Sequence, residues 1–437
     1  MITRRSAIGQ VLSGLALFGT LVFLKEDDEK RYHSYFPSFT RYEEELLMSI
    51  IQSALYYVWN ESDPLTGLVA DRGEASGLRR HRPVASMAAT GMGLSLLCGC
   101  KEISANVSGS IEERILTTLT FIASEMPAHH GFFYHLVDIS SGARFLNSEV
   151  SAIDTALLVC GLILCRQSFP KSQIAEVATY LINRIDFNWM LDGSLCFRQA
   201  WSPEEGFSPW RYDSYSEALI LYLLALGSTT HAIDSSSWQT LSRPVVNYFG
   251  NTYISGSPCL FTHQYVHAWF DLRHRADSFT NYFDNSRKAT LAHISFCLSL
   301  KRNFPYYSEK LWGVSASDTE RGYQGRGGPP SADFIGGEIT PSCSIGSLMF
   351  TPAESFRTIA NLRQCYPDSF RRYGFVDAIN PANGWRAQDV VGIDTCMSAL
   401  MAFNLLNTGN LRRFNDDEMV QRAYVRAGLL PTDAYNR

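Results

Sequence analysis

Beyond residue 40, apolar positions recur at intervals of three and four residues, the spacing that lines one face of an α-helix. Ile153, Ala156, Leu157, Val159, Cys160 and Ile163 follow it closely, and no stretch alternates apolar with polar residues as a half-buried strand would. The pattern predicts helices near 41–60, 85–100, 110–126, 151–167, 171–185, 214–227, 235–248, 264–275, 284–301, 353–366, 394–407 and 416–428. Several windows, Ala218 to Leu226 above all, have no polar face and require other helices around them.

The connections differ in character. The link from Gln167 to Lys171 is short and carries Pro170, whereas 127–150, 186–213 and 302–352 are long, aromatic and rich in glycine. Loops beyond ~15 residues in a compact domain are usually functional. The reading is an all-α fold, an (α/α)6 toroid barrel whose inner ring of helices sits inside an outer ring, with the long loops forming a cleft at one mouth. The absence of a Pro- or Ser-rich linker predicts one domain over 31–437. No self-similarity at a fixed period supports a helical solenoid.

Residues 1–30 stand apart. Arg4-Arg5 precede an uncharged run from Ser6 to Leu24, which is followed by Lys25-Glu26-Asp27-Asp28-Glu29-Lys30. A positive segment before an apolar one reads as an export signal, in a partial twin-arginine setting. With no Ala-x-Ala site after it, an N-terminal membrane anchor is the other reading. Both keep the arginines in the cytoplasm and put the body in the periplasm, exported or anchored. Within the 437 residues, 38 Lys and Arg against 43 Asp and Glu give a net charge of −5, and no basic cluster suits nucleic acid. Ten cysteines, with no C-x-x-C, are too sparse for a disulfide scaffold and read as small buried hydrophobes. The 26 Phe, 21 Tyr and 8 Trp supply a large core and, beside polar clusters, faces suited to sugar rings.

Candidate chemistry gathers where loops meet helices. Tyr134-His135 closes an aromatic run, and Glu149 and Asp154 flank the start of the next helix, where its positive end alone would favour carboxylates. Trp210 and Tyr215 lead to Glu217, at the entrance of the most apolar window. There partial desolvation would raise a carboxyl's pKa toward that of a general acid, although Ser214 and Glu217 also have capping-box spacing. His263 and His267 share a helix face at the spacing of two zinc ligands, but Gln264 stands where a metalloprotease keeps its glutamate. Beside them lies Tyr265; further on come Trp312, Asp318, Asp377 and Asp394, the last again opening an apolar helix. Isolated carboxylates among Trp, Tyr and His suit glycoside cleavage, which needs a proton donor and a second carboxylate. No P-loop, dinucleotide fingerprint, G-x-S-x-G or kinase signature is present.

These segments, in this order, resemble the glucoamylase-like family that contains bacterial endo-β-1,2-glucanases and the C-terminal domain of cyclic β-1,2-glucan synthases. The resemblance spans about Gly67 to Gly409. It rests on Asp71-Arg72, the ASMAATG run at 85–91, GFFYHLVD at 131–138, EVSAIDTALL at 149–158, YSEA at 215–218, FTHQY at 261–265, NYFDNS at 281–286, WGVSASD at 312–318, GFVDA at 374–378 and GID at 392–394. It implies an (α/α)6 barrel and hydrolysis, or transfer, at β-1,2-glucosidic bonds, with inversion in the hydrolases; no metal or other cofactor is expected. Glu217 would be the general acid, Asp394 the best candidate for the base side with Asp377 and Asp318 competing, and Glu149 and Asp154 would line the cleft by the reacting sugar. Asp71, Arg72, Tyr134, His135, Trp210, Tyr215, His263, Gln264, Tyr265, His267, Trp312 and Asp318 are the expected substrate-binding residues. The expected partner is a glucan oligosaccharide or polysaccharide, bound by a monomer.

The chain departs from the family pattern at Gly336-Gly337-Glu338-Ile339, at Val266 and at Cys396-Met397. A non-hydrolytic glucan-binding protein of the envelope is therefore the alternative reading. A zinc enzyme on the same toroid is a third.

Overall fold

The computed structural model describes residues 39–78, 83–100, 109–331 and 335–432. The proposed export segment lies outside them. The longer helices are α1 (Arg41–Asn60), α2 (Met87–Gly99), α3 (Ile111–Ser124), α4 (Ala152–Ser168), α5 (Gln173–Asn183), α6 (Leu219–Gly227), α7 (Tyr282–Ser299), α8 (Pro352–Cys365), α9 (Gly392–Leu406), α10 (Gly409–Asn415) and α11 (Glu418–Ala427). Among the described residues, none is long and apolar enough to cross a membrane.

Two kinds of helix occur. Every residue of α2 and of α6 is buried, as a helix without a polar face demands. In contrast, α5 buries only Ile174, Ala178, Leu181 and Ile182, one stripe at helical spacing, and turns the rest outward. Start signals are local: Ser86, Ser151 and Asn281 each accept a backbone N–H of the helix that follows, and Thr40 with Glu43 forms a reciprocal capping box.

The tightest packing is between α2 and α4. A Cβ on Gly91 would meet the Leu158 Cα at 2.4 Å, and one on Gly161 would meet the Gly91 carbonyl oxygen at 2.2 Å. Two turns further along, the Cys98 and Cys165 sulfurs touch at 3.7 Å. Gly91 with Leu158 and Cys98 with Cys165 have the same sequence offset, so the helices run parallel, separated by little more than backbone. Helix α4 also contacts α6, while α9 packs on α1, on α2 and on the short helix Pro341–Ile345. The Gln264 amide donates to the Cys343 carbonyl at 2.8 Å and to the Ser347 hydroxyl at 2.9 Å, tying the 261–268 segment to that short helix. Nine of the ten cysteines are buried and all are free, in keeping with their reading as core residues.

Two predicted helices are corrected. The 235–248 window is helical only over Ser236–Thr240. Pro244 removes a backbone donor, and Val245–Tyr248 instead pairs with Asn251–Ile254 around Phe249 and Gly250, both at positive φ, as a tight hairpin turn requires. The 264–275 window is a single turn, Phe261–Gln264, continued by the 3₁₀ segment Tyr265–Ala268. It stops where Asn404 and Asn415 donate to the Ala268 and Trp269 carbonyls at 2.9 and 2.8 Å, taking the acceptors a further turn would use.

The expectation of helices alone is corrected too, because the long loops contain short antiparallel ladders. Val84–Ser86 pairs with Leu136–Asp138, Val150–Ser151 with Ala200–Ser202, and Arg72–Glu74 with Asp389–Val391. Each ladder has one strand running directly into a buried helix, α2, α4 or α9, and so fixes the loop residues beside that helix's N-terminus. In the last of them Arg72 lies opposite Val391, and the Gly392 N–H donates to the Asp71 carbonyl at 2.8 Å.

The α2–α4 contact leaves no room for a methyl group. Gly161→Ala should lower the melting temperature, at a cost of about 1–3 kcal/mol or more, in thermal unfolding followed by circular dichroism. A fully wild-type transition would show that the two backbones can separate freely.

Candidate active site

Two groups of ionisable residues lie where the long loops meet the N-termini of the buried helices. The first is built on the 132–154 region. His135 Nδ1 is 3.1 Å from Glu149 Oε1, and its Nε2 is 3.8 Å from Asp154 Oδ1. Burial opposes the charged imidazole, but Asp154, Glu149 and the more distant Asp71 outweigh it and raise its pKa to about 9. For Glu149 burial pushes upward, yet the His135 hydrogen bond and charge hold the carboxyl below its usual range. Asp154, in the first turn of α4, accepts from the Ser151 hydroxyl.

Glu217 lies in the turn just before α6. The capping-box pairing that its spacing allows does not form: the Ser214 hydroxyl donates to the Ser242 carbonyl at 3.4 Å, and α6 begins with no side-chain cap. Burial pushes the Glu217 carboxyl up to about 7; its own backbone N–H opposes this and the Asp154 charge adds to it.

The second group joins the 71–72, 317–319 and 377–394 segments. Arg72 Nη1 donates to both Asp318 oxygens, at 2.9 and 2.8 Å, and Arg72 Nε is 3.6 Å from Asp71. The Asp318 N–H donates to Asp377 Oδ2 at 2.5 Å. Asp377 and Asp394 are enclosed together. Burial and their mutual repulsion raise Asp394 well above the carboxylate range, and burial also raises Asp377. Two such groups hold a proton between them at neutral pH. The Tyr265 phenol, its own pKa raised by burial, lies within electrostatic reach of Asp394, Glu217 and Asp154, carboxyls of both parts of the site. Beside Asp318 opens a cavity of about 560 Å³, lined also by Thr319, Gly322, Gly384, Trp385, Arg386, Ala387 and Gln388.

The structure thus brings together Glu149, Asp154, His135, Glu217, Tyr265, Asp71, Arg72, Asp318 and Asp394. Other expected substrate contacts are corrected. Tyr215 is buried, stacked parallel to Tyr282 at 6.0 Å and close to the His263 ring. His263 and His267 are buried and bonded to the Ser255 and Ser286 hydroxyls at 3.1 and 3.0 Å; burial lowers both to about 3, so they are neutral. That arrangement does not suit a shared zinc ion, and no group of three or more potential ligands occurs among the described residues. Gln264 is spent on the 341–347 segment and Trp312 is fully buried. Tyr134 is buried under the Arg144 guanidinium, with its hydroxyl 3.2 Å from His129 Nε2. Trp210 is 71% exposed on the loop leading to Glu217. Polar and aromatic residues at a loop-to-helix junction look alike in sequence whether they face the cleft or wedge the helices apart. Tyr212 and Tyr323, which belong to the polar-aromatic candidate segments but were not among the expected contacts, lie near the first and second carboxyl groups respectively.

Comparison with known proteins bears out the resemblance read from the motifs. Residues 209–417 match the family model described as "Putative glucoamylase". The chain is 23% identical over 403 residues to an exo β-1,2-glucooligosaccharide sophorohydrolase (non-reducing end) of Parabacteroides distasonis, covering 83% of this chain. It spans only about half, 55%, of that relative's length. Its fold is that of an endo-β-1,2-glucanase from Chitinophaga pinensis solved with sophorotriose and glucose, with a TM-score of 0.83 at 20% identity, covering 90% of this chain and 99% of that one. A glucoamylase-like protein from Bacteroides uniformis matches with a TM-score of 0.82 at 22% identity, over 90% of this chain and 99% of the other.

The histidines give a direct check. In NMR titration His135 should stay protonated through pH 8, with a midpoint about 9, while His263 and His267 stay neutral down to pH 5. The sign for stability follows: the contribution of charged His135 is full below its unfolded value of 6.5 and is lost as pH rises through 9. A His135 midpoint near 6.5 would dissolve the Glu149–His135–Asp154 group.

Proposed function

We propose that the chain is a glycoside hydrolase that cleaves a β-glucan, β-1,2-glucan above all, by an inverting acid/base mechanism with Glu217 as general acid. The observation that carries this is the Glu217 carboxyl. It stands at the mouth of a wholly apolar helix, and burial raises its pKa to about 7, so that it holds a proton where the other wing of the site holds negative charge. A general acid needs that protonation state, and a glycosidic oxygen needs that proton to leave. The β-1,2-glucanase names of the relatives in sequence and structure support the substrate class.

The base side falls to the Asp377–Asp394 pair, which shares one negative charge, rather than to Asp394 acting alone. Arg72, braced by Asp318, keeps that charge from being fully neutralised by a second proton. A water on the far face of the sugar gives its proton to the pair as it attacks the anomeric carbon. Meanwhile Glu217 protonates the departing oxygen, and the bond breaks with inversion. Glu149, kept ionised by His135, is the second candidate for this base. With Asp154 it would otherwise hold sugar hydroxyls, and the exposed Trp210 offers a face for a sugar ring. The packing of α2, α4, α6 and α9 with the 261–268 and 341–345 segments supports the inner ring of an (α/α)6 toroid. Export by the N-terminal segment, and action as a monomer on a periplasmic glucan, complete the reading.

Residues 31–437 incubated with linear β-1,2-glucan should release short oligosaccharides, with turnover falling on the alkaline side around pH 7. Glu217→Gln should cut kcat by roughly 10²–10⁴ with the melting curve unchanged. Asp394→Asn and Glu149→Gln, compared under the same conditions, separate the two bases: the true one loses turnover on a similar scale. Binding without release of products by the wild type would make this a glucan-binding protein on a hydrolase fold.

A further inference from the structure

The most completely buried cation among the described residues takes no part in that chemistry. The Arg326 side chain has no exposed surface, and its Nη1 lies 2.6 Å from Glu338 Oε2, itself 9% exposed. Its other nitrogens reach the strand that carries Asp318. Nη2 donates to the Ser317 hydroxyl at 2.7 Å and to the Asp318 carbonyl at 3.1 Å, and Nε donates to the Ser315 carbonyl at 3.3 Å. Glu338 belongs to a different segment. Its neighbour Ile339 exchanges both backbone hydrogen bonds with Ile379, at 2.8 and 3.0 Å, two residues beyond Asp377. The segment is anchored on its other side by the Tyr307 hydroxyl, which donates to the Glu338 carbonyl at 2.8 Å.

Arg326 therefore grips the Asp318 strand, and its ion-pair partner adjoins Ile339, whose bridge to Ile379 lies two residues beyond Asp377. Between these two segments runs the 2.5 Å contact from the Asp318 N–H to the Asp377 carboxylate. We propose that the Arg326–Glu338 pair is a positioning device that sets this contact, and through it the orientation of Asp377 toward Asp394 and of Asp318 toward Arg72. The role rests on the reading of this site as a glycosidase, and it gives a use to the segment where the chain departs from the family pattern. Arg suits it better than Lys because one planar guanidinium serves a carboxylate, a hydroxyl and two carbonyls at fixed angles.

Arg326→Lys keeps the charge and the pairing with Glu338 but cannot hold Ser317, Asp318 and Ser315 at once. Glu338→Gln keeps the shape and removes the charge. Both are compared with wild type for kcat and KM on linear β-1,2-glucan, and for melting temperature. If the pair positions the base, Arg326→Lys loses roughly 10²-fold in kcat, the scale of a small misplacement at a reacting centre, with KM within about threefold and melting little changed. Glu338→Gln then falls in the same direction, and Glu338→Asp restores less than half of the loss because its shorter arm no longer reaches Arg326 at the native spacing. If Arg326→Lys retains wild-type kcat, or if activity only follows the melting temperature across the three variants, the pair is a fold stabiliser and the proposal is overturned. A wild type that cleaves no glucan overturns the glycosidase reading, and this role with it.

Discussion

Helices with no polar face confine polar chemistry to their ends. Because α2 and α6 are buried on every side, neither can carry a charged group along its length, and the residues able to do chemistry crowd into the turns where the chain enters such helices. At those N-termini unpaired backbone N–H groups and the helix dipole favour carboxylates, so Asp154 and Asp394 sit where the fold tolerates them best. Glu217 differs. It immediately precedes Ala218, the uncapped first residue of the α6 entrance, and burial without a charged partner raises its pKa to about 7.

The two wings of the site handle crowded charge in opposite ways. On one side a histidine is driven to carry positive charge between two carboxylates, which holds Glu149 ionised. On the other, two carboxyls are buried so close together that one must remain neutral, and Arg72 is committed mainly to Asp318. Protonation state is thus set by which partner each group has been given. Desolvation acts on all of them, and only the pairing tells them apart.

The helical body was legible from the period of its apolar residues, and Glu217 and Asp394 were legible because each opens an apolar window. The ladders were not, since strands of two or three residues are too short to show an alternation. The hairpin at 245–254 was hidden by apolar residues that also fit a helical period, until Pro244 is given its due. Tyr215, His263, Gln264, His267 and Trp312 belong to motifs that accompany the site, yet their side chains fill the wall behind it. Composition and spacing do not report which way a side chain turns. The Arg326–Glu338 pair was invisible for another reason: its meaning comes from contacts with Ser317 and Asp318 that spacing along the chain does not report.

The ladder between Arg72–Glu74 and Asp389–Val391 joins chain segments more than three hundred residues apart, and the second wing of the site is assembled across that seam. A polypeptide emerging from the ribosome possesses Arg72 early, but the ladder that places it beside the Asp377–Asp394 pair cannot form until residues 389–394 have been made. On the proposed function, catalytic competence arrives only with closure of the seam, and contacts of such long range make that step slow. An unfinished or truncated chain can be helical, and even compact, while remaining chemically silent.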